Sequence, residues 1–505
     1  MFHKVFGPPG TGKTNRLIEL VEEALEDGIM PQEIAYLAFT RRASAEAKAR
    51  AREKFEQSED MFFYFRTLHS MAYHLLKIKK QEVLSTTHLK EFAKSISLNN
   101  FSSGYDFDSD IITTNDPILN LIQLSRLKQV DLKKEYNDSR LDIPWNVVEY
   151  VSDSYKKYLE ARKLLDFTSM LERLDQDFDD LWPHFKLILI DECQDLCPLH
   201  WSLVKKMNQV KNPPHIYLAG DDDQSIFSFS GASPDLFIDL DSTTSEVLNQ
   251  SYRVPRSVHR LAETITSRIG NRIKKTYNPR KVEGQVKYIN ELYQVDFSHG
   301  NFLILSLTNF QLSKIAEELK SGGFLYEKNG SRSIPLNMAT AIRGWETLRN
   351  GKEVDGGTLK HVYKFLSGNN KSIKRGFKKL SHINDDDLFT FDLLVSDFGL
   401  LVSKDKIWSS ALDLLPHIDR AYITAFLRRG EKINAQPRIK LSTIHSAKGS
   451  ESDTVVLFLD ISLASQQESF LNPDILHRVF YVGVTRTREK LFVVNPENLD
   501  RSYQL

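Results

Sequence analysis

Gly7-Pro8-Pro9-Gly10-Thr11-Gly12-Lys13-Thr14 matches G-x-x-x-x-G-K-[ST], and the residues on either side decide what the match means. Ahead of it, Lys4-Val5-Phe6 reads as a short strand. Behind it, Asn15 to about Glu26 carries Leu17, Leu20, Val21 and Leu25 at the spacing of an amphipathic helix. A strand, glycine turn and helix in that order form the setting in which such a loop wraps phosphates. Glycines let backbone N–H groups turn inward, the helix N-terminus adds positive dipole, Lys13 reaches the β and γ phosphates, and the Thr14 hydroxyl can ligate Mg²⁺. A plain glycine-rich turn does not account for both flanking elements.

Working outward, a strand over Ile34–Phe39 leads into an Ala/Arg-rich helix from Arg42 to Phe55, and a strand over Phe62–Phe65 leads into a helix from near Leu68. Strands alternating with helices predict an α/β fold with a parallel sheet. From Lys80 to Leu164 the sequence turns polar and mostly helical, which predicts an inserted subdomain. Strand patterns return at Leu187–Ile190 and Ile216–Leu218. A second cycle runs from Val286 through Phe302–Leu307. A loose, Lys/Asn/Asp-rich stretch from 330 to 435 then reads as a second insertion, and Ile439–Ile444, Thr454–Leu459 and Leu491–Val494 complete the interrupted sheet.

A phosphate loop needs an acidic partner. Leu187-Ile188-Leu189-Ile190 followed by Asp191-Glu192 supplies one: an apolar strand delivers Asp191 to the sheet's carboxyl edge to hold Mg²⁺, with Glu192 beside it to accept a proton from the attacking water.

Composition sets the outer limits. With 505 residues the chain has room for three or four domain-sized units, and 41% hydrophobic with 27% charged residues excludes disorder and collagen-like repeats. No apolar run approaches the roughly 18 residues of a membrane helix, and the start lacks the pattern of a signal peptide. Cys193 and Cys197 have no partner Cys/His pair, so neither a zinc site nor a disulfide framework is expected. Lys plus Arg and Asp plus Glu both number 67, so any case for nucleic acid must come from local motifs.

Those motifs exist. Ala38-Phe39-Thr40 with Arg42 and Glu46, Thr67-Leu68-His69-Ser70, and Gly220-Asp221-Asp222-Asp223-Gln224-Ser225-Ile226-Phe227 running to Gly231-Ala232 follow the two nucleotide motifs. Ser251-Tyr252-Arg253, Thr443-Ile444-His445-Ser446-Ala447-Lys448-Gly449 with Glu451, and Tyr481-Val482-Gly483-Val484-Thr485-Arg486-Thr487-Arg488 complete the set. In this order they resemble the superfamily one helicases, most closely the UvrD/Rep branch. The resemblance implies two RecA-like P-loop domains with parallel sheets, each with a mainly helical insertion. Domain 1A would comprise 1–80 and 165–250, with insertion 1B at 81–164. Domain 2A would comprise 251–330 and 436–505, with insertion 2B at 331–435.

It further implies a DNA helicase and translocase that uses ATP and Mg²⁺, moves 3′ to 5′ on single-stranded DNA, and meets junctions of single and double strands. A cytoplasmic monomer or weak oligomer is expected, acting in replication, repair or recombination. Lys13, Glu192, Gln224, Arg253 and Arg486 would be catalytic, with Arg253 and Arg486 supplied by the second half as cationic fingers. The loop Gly7, Pro8, Pro9, Gly10, Thr11, Gly12, Lys13 and Thr14 would bind ATP together with Tyr252 on the adenine and Glu451 on the ribose, and Thr14 and Asp191 would hold Mg²⁺. Phe39, Thr40, His69, Phe229 and His445 would contact DNA, the aromatics by stacking on bases irrespective of sequence.

The sequence departs from the family at Phe229, where relatives usually carry Trp; at Ser230, where they carry Arg; and at Asn15, where an adenine-stacking Arg is common. With the loop starting at Gly7, a counterpart of the family's upstream glutamine motif is not expected. An ATP-gated single-stranded-DNA clamp or partner-dependent switch that does not unwind, and an RNA-directed motor of the same superfamily, are the rival readings. The basic cluster Lys371, Lys374, Arg375, Lys378 and Lys379 around Phe377 is a candidate for duplex phosphate contact.

Overall fold

Continuous burial of His3-Lys4-Val5-Phe6 seats the first strand, β1 (Phe2–Phe6), between two parallel neighbours in a sheet that organises the N-terminal half. The computed structural model describes residues 1–55, 59–98, 101–106, 111–139 and 141–505, so the expected insertion 81–164 lies partly outside the described residues. The sheet adds β2 (Ile34–Ala38), β3 (Phe65–Thr67), β4 (Leu187–Ile190), β5 (His215–Gly220) and β6 (Thr244–Val247) in the spatial order β3-β2-β4-β5-β1-β6. Every pairing is parallel. Strands buried on both faces need continuous apolar runs, and Leu187-Ile188-Leu189-Ile190 is buried throughout.

Helices cover both faces. On one, α1 (Lys13–Glu26) sends Leu17, Ile18, Leu20 and Val21 inward. Beside it α2 (Arg41–Phe55) presents Ala47 and Ala51, whose small side chains let the helix lie close to the strands. On the other face α3 (Leu68–Leu75) and α4 (Pro198–Met207) pack Leu68, Met71, Leu199 and Trp201 around Phe6 and Phe237. The inserted segment has its own core of Leu89, Phe92, Ile122, Val148 and Val151. Its helices start at side-chain caps: the Ser85 hydroxyl accepts from the His88 N–H, and Asp116 accepts from Leu119 at 2.8 Å just before Pro117. Arg126 ties the insertion to the sheet-packing helix Phe167–Gln176 through Asp166 and Glu172.

The second sheet contains β7 (Gln285–Ile289), β8 (Phe302–Ser306), β9 (Tyr326–Lys328), β10 (Ser331–Arg332), β11 (Ile439–Thr443), β12 (Ser452–Phe458) and β13 (Thr487–Val494). Their order is β7-β13-β12-β8-β11-β9-β10, parallel except for the β9/β10 hairpin. Contacts divide the chain into two compact units. One is Met1–Gly284 with Ala464–Thr485 and Leu505; the other is Gln285–Leu463 with Arg486–Gln504.

Three local expectations change. The apolar run Phe62–Phe65 is not one strand, because Phe62 is buried in a 3₁₀ turn against Phe55 and Phe65, and pairing begins only at Phe65. The stretch 330–435 is not loose. It folds around Trp345, Leu359, Tyr363, Leu394 and Phe426, and the Trp345 indole N–H donates to the Lys406 carbonyl at 2.8 Å. Within its basic cluster, Lys378 donates to the carbonyls of Tyr363, Lys364 and Leu366, capping the end of helix Gly356–Lys364, and Lys371 pairs with Asp413 at 3.2 Å. No helix among the described residues is long and apolar enough to cross a membrane.

On α4, His200 is buried with its Nδ1 3.1 Å from Cys197 Sγ and its ring 5.8 Å from that of His69. Burial first, and the His69 charge second, push the His200 imidazole down to about 3. A histidine whose folded-state value lies below its unfolded value of about 6.5 contributes its full stability above that pH and loses it as pH falls. Shifting from pH 7 to pH 5 is expected to cost about 2 kcal/mol at this residue. Thermal unfolding at the two pH values should show that His200→Gln loses less stability on acidification than the wild type.

Candidate functional site

Because β4, β5 and β1 are neighbours in parallel register, their carboxyl ends bring Asp191, Asp221 and Gly7 to one edge of the first sheet. The Gly7 N–H donates to the Gly220 carbonyl at 2.9 Å, which continues the ladder into the phosphate loop. Gly10 and Gly12 then take left-handed backbone angles, φ 72° and 84°. Gly10 has a second reason: a Cβ there would lie 2.4 Å from Arg253 Cβ.

Lys13 folds back across the loop, donating to the Gly7 carbonyl at 3.1 Å with its ammonium 3.6 Å from Glu192 Oε1. The Thr14 hydroxyl donates to Asp191 Oδ2 at 3.2 Å, and the Tyr36 hydroxyl donates to the same oxygen at 2.9 Å. The Glu192 N–H closes on Asp191 Oδ1 at 2.9 Å. Burial, and then the adjacent Glu192 charge, hold the Asp191 carboxyl above the ordinary carboxylate range. A hydroxyl and a carboxylate side by side, both hard oxygen donors, fit a Mg²⁺ ion that takes its remaining ligands from phosphates and water.

Glu192 sits at φ 56°, a left-handed position that turns the chain out of β4 into the 3₁₀ turn Cys193–Asp195. Gln194 bridges the two acidic motifs. Its amide N–H₂ donates to Glu192 Oε2, and its carbonyl accepts from the Asp221 N–H at 2.8 Å. Gly220 leaves room for this bridge, since a Cβ there would lie 2.6 Å from Gln194 Oε1. Gln224 is buried and donates to Asp221 Oδ2 at 2.8 Å. Lys13, Thr14, Asp191, Glu192 and Gln224 thus belong to one connected cluster.

The strand Gln250–Pro255 is fastened to the loop: Ser251 Oγ donates to the Pro9 carbonyl at 2.7 Å, and the Tyr252 N–H donates to the Gly10 carbonyl at 2.8 Å. Tyr252 presents an exposed ring next to the loop. Arg253, assigned to the second half by the sequence reading, lies in the first compact unit. In the second unit, Arg486 is buried with a guanidinium nitrogen 3.4 Å from the Ser450 carbonyl, and Glu451 pairs with Arg488 at 2.6 Å.

On the same edge of the first sheet, the Phe39 ring stacks on Phe227 at 5.7 Å and Phe227 meets Phe229 edge-on at 5.8 Å. Phe229 is 63% exposed, so a run of aromatic faces leads from the sheet to solvent. Thr40 caps α2 by accepting from the Ala43 N–H at 3.1 Å. His69 is half-buried against Phe167. In the second unit, burial and the Lys448 charge push His445 down to about 4.

Sequence reasoning missed Tyr36, Gln194, Arg272 and Lys275. Tyr36 lies inside the apolar strand Ile34–Ala38, where no sequence signal marks its hydroxyl as the group that meets Asp191. Gln194 lay two residues from Glu192 and could have been weighed as an orienting amide. Arg272 grips both Asp223 oxygens at 2.7 and 2.6 Å, and Lys275 enters the same acidic cluster.

Comparison with known proteins bears on the whole chain. Residues 3–245 match the UvrD/REP helicase N-terminal domain, and residues 409–498 match the UvrD-like helicase C-terminal domain. The chain belongs to the UvrD-like family of superfamily one DNA helicases. It is thereby an ATP-hydrolysing DNA helicase. It is similar to the ATP-dependent DNA helicase Rep of Buchnera aphidicola (subsp. Acyrthosiphon pisum), at 24% identity over 96% of this chain and 90% of the relative. A probable DNA helicase II homolog of Mycoplasma genitalium is 22% identical over 97% of this chain and 82% of its own length. The ATP-dependent DNA helicase PcrA of Leuconostoc citreum is 22% identical over 66% of this chain and 46% of its own length.

Removing the Tyr36 hydroxyl leaves the Asp191 carboxylate one donor short in a buried setting, which costs about 1 kcal/mol or more. Tyr36→Phe is expected to fold normally and to raise the Mg²⁺ concentration for half-maximal ATP hydrolysis several-fold. A Mg²⁺ titration of turnover checks this.

Proposed function

We propose that this helicase is an ATP-driven translocase on single-stranded DNA that unwinds 3′ to 5′ from single/double-strand junctions. The observation that carries the reading is the shared edge of the first sheet. There the connected cluster of Lys13, Thr14, Asp191, Glu192 and Gln224 adjoins the Phe39–Phe227–Phe229 aromatic run. Domains 1A (1–80, 165–250), 1B (81–164), 2A (251–330, 436–505) and 2B (331–435) are the organisation proposed for it.

In this reading the loop Gly7–Thr14 holds the ATP phosphates. Thr14 and Asp191 would hold Mg²⁺, whose charge offsets that of the β and γ phosphates. Glu192 takes the proton of the attacking water, and Lys13, whose ammonium lies 3.6 Å from that carboxylate, reaches the β and γ phosphates. Gln224 senses the γ-phosphate from its seat on Asp221. Arg253 and Arg486 stabilise the charge that develops as the bond breaks, Tyr252 stacks on the adenine, and Glu451 meets the ribose. Phe39 and Phe229 stack on bases of any sequence, with Thr40, His69 and His445 completing the track. Action as a monomer or weak oligomer on cytoplasmic DNA, in replication, repair or recombination, completes the proposal.

The test is steady-state ATP hydrolysis with and without single-stranded DNA, comparing wild type with Glu192→Gln. Strong stimulation by DNA is expected, with turnover reduced at least ~100-fold in the variant while nucleotide binding is retained. Hydrolysis indifferent to DNA would favour a clamp. Unwinding of duplexes carrying either a 3′ or a 5′ tail settles the direction, and preference for the 5′ tail would overturn the polarity.

A further inference from the structure

We propose that Lys275 is a positioning residue for ATP hydrolysis: from within the Asp221-Asp222-Asp223 cluster it fixes the carboxylate that seats Gln224 and the backbone that orients Gln194 toward Glu192. The proposal rests on the reading that Glu192 and Gln224 serve hydrolysis.

The Lys275 side chain is 1% exposed, and the three carboxylates around it are 0 to 1% exposed. Its ammonium lies 3.2 Å from Asp221 Oδ1 and 3.0 Å from Asp223 Oδ2 and donates to Asp222 Oδ1, with the Phe6 ring 5.7 Å away. Burial alone would favour the neutral amine. Asp221, Asp223 and Asp222 outweigh it and hold the group protonated. The three carboxylates do not depend on Lys275 equally. Asp223 has both oxygens on Arg272, and Asp222 Oδ2 accepts from the Ile273 N–H at 2.8 Å. The Asp222 backbone carbonyl is held by Arg478 at 3.0 Å. For Asp221 the cation is Lys275, and its other partners are the Gln224 amide and the Asp223 N–H.

A buried carboxylate deprived of its cation protonates or turns toward another donor. Either response changes what Asp221 Oδ2 offers Gln224. The same residue's N–H sets the Gln194 amide that donates to Glu192. One ammonium therefore stands behind both the sensor and the base while touching neither. A purely structural role would lower the fraction of folded protein and leave turnover per folded site unchanged.

The experiment uses the full chain and compares wild type, Lys275→Met and Asp222→Asn/Lys275→Met. The double variant removes one carboxylate with the ammonium and so preserves the net charge of the cluster. Binding of a fluorescent ATP analogue gives the number of competent sites and Kd, and hydrolysis with saturating single-stranded DNA gives kcat per competent site. The expected result is one site per chain, Kd within threefold of wild type, and kcat per site at least tenfold lower. If Lys275→Met does not fold, the double variant carries the comparison. A kcat per site within twofold of wild type overturns the proposal, as does loss of nucleotide binding in both variants, which would make Lys275 structural. Failure of the underlying reading shows separately, as a wild type whose hydrolysis does not respond to DNA or to Glu192→Gln.

Discussion

The site depends on the parallel register of three adjacent strands. β4, β5 and β1 end at one level, so Asp191, Asp221 and Gly7 are delivered to the same edge without any loop having to reach for another. Because strand side chains alternate, a slip of one residue in any of the three would turn its terminal group to the opposite face. The interior of the sheet holds the register fixed: Ile188, Leu189, Ile216 and Leu218 are fully buried, and a slip would misplace them together with the site.

Upon that frame the chemistry is a distribution of donors among buried acids. Asp191 is met by two hydroxyls and a backbone N–H, Asp223 by a guanidinium, and Asp222 and Asp221 by an ammonium. Each pairing lets a charge remain where water is excluded, and each also fixes a direction, which matters more for a reaction whose geometry must be held at the γ-phosphate. Gln194 is neutral and bridges two acidic motifs because both ends of its amide are used at once, donating to Glu192 and accepting from the Asp221 N–H.

Much of this was legible in the sequence, for identifiable reasons. The loop, its strand and its helix carry period and composition signals within one short window, and Leu187–Ile190 followed by two acids is a buried strand that stops where charge begins. Signals of other kinds were weaker. β6 is Thr244-Ser245-Glu246-Val247, exposed along its length at a sheet edge, so it shows no apolar alternation to read. The fold of 330–435 was hidden because its core residues are scattered among short helices, though Trp345 and Phe426 are fully buried. Lys275 lies in Arg272-Ile273-Lys274-Lys275, which on paper is an ordinary solvated basic run, and its neighbour Lys274 is indeed exposed. Only the return of the chain to β5 distinguishes the two lysines.

The left-handed backbone at Glu192 sets selection on stability against selection on chemistry at a single codon. A residue with a side chain pays roughly 1 kcal/mol or more to occupy that conformation, and glycine would relax it. Glycine would also delete the carboxylate. Mutational drift toward a more stable chain therefore has an open route that ends in an inert motor, and copies of this gene released from the need to hydrolyse ATP should lose the acid here before they lose the fold around it.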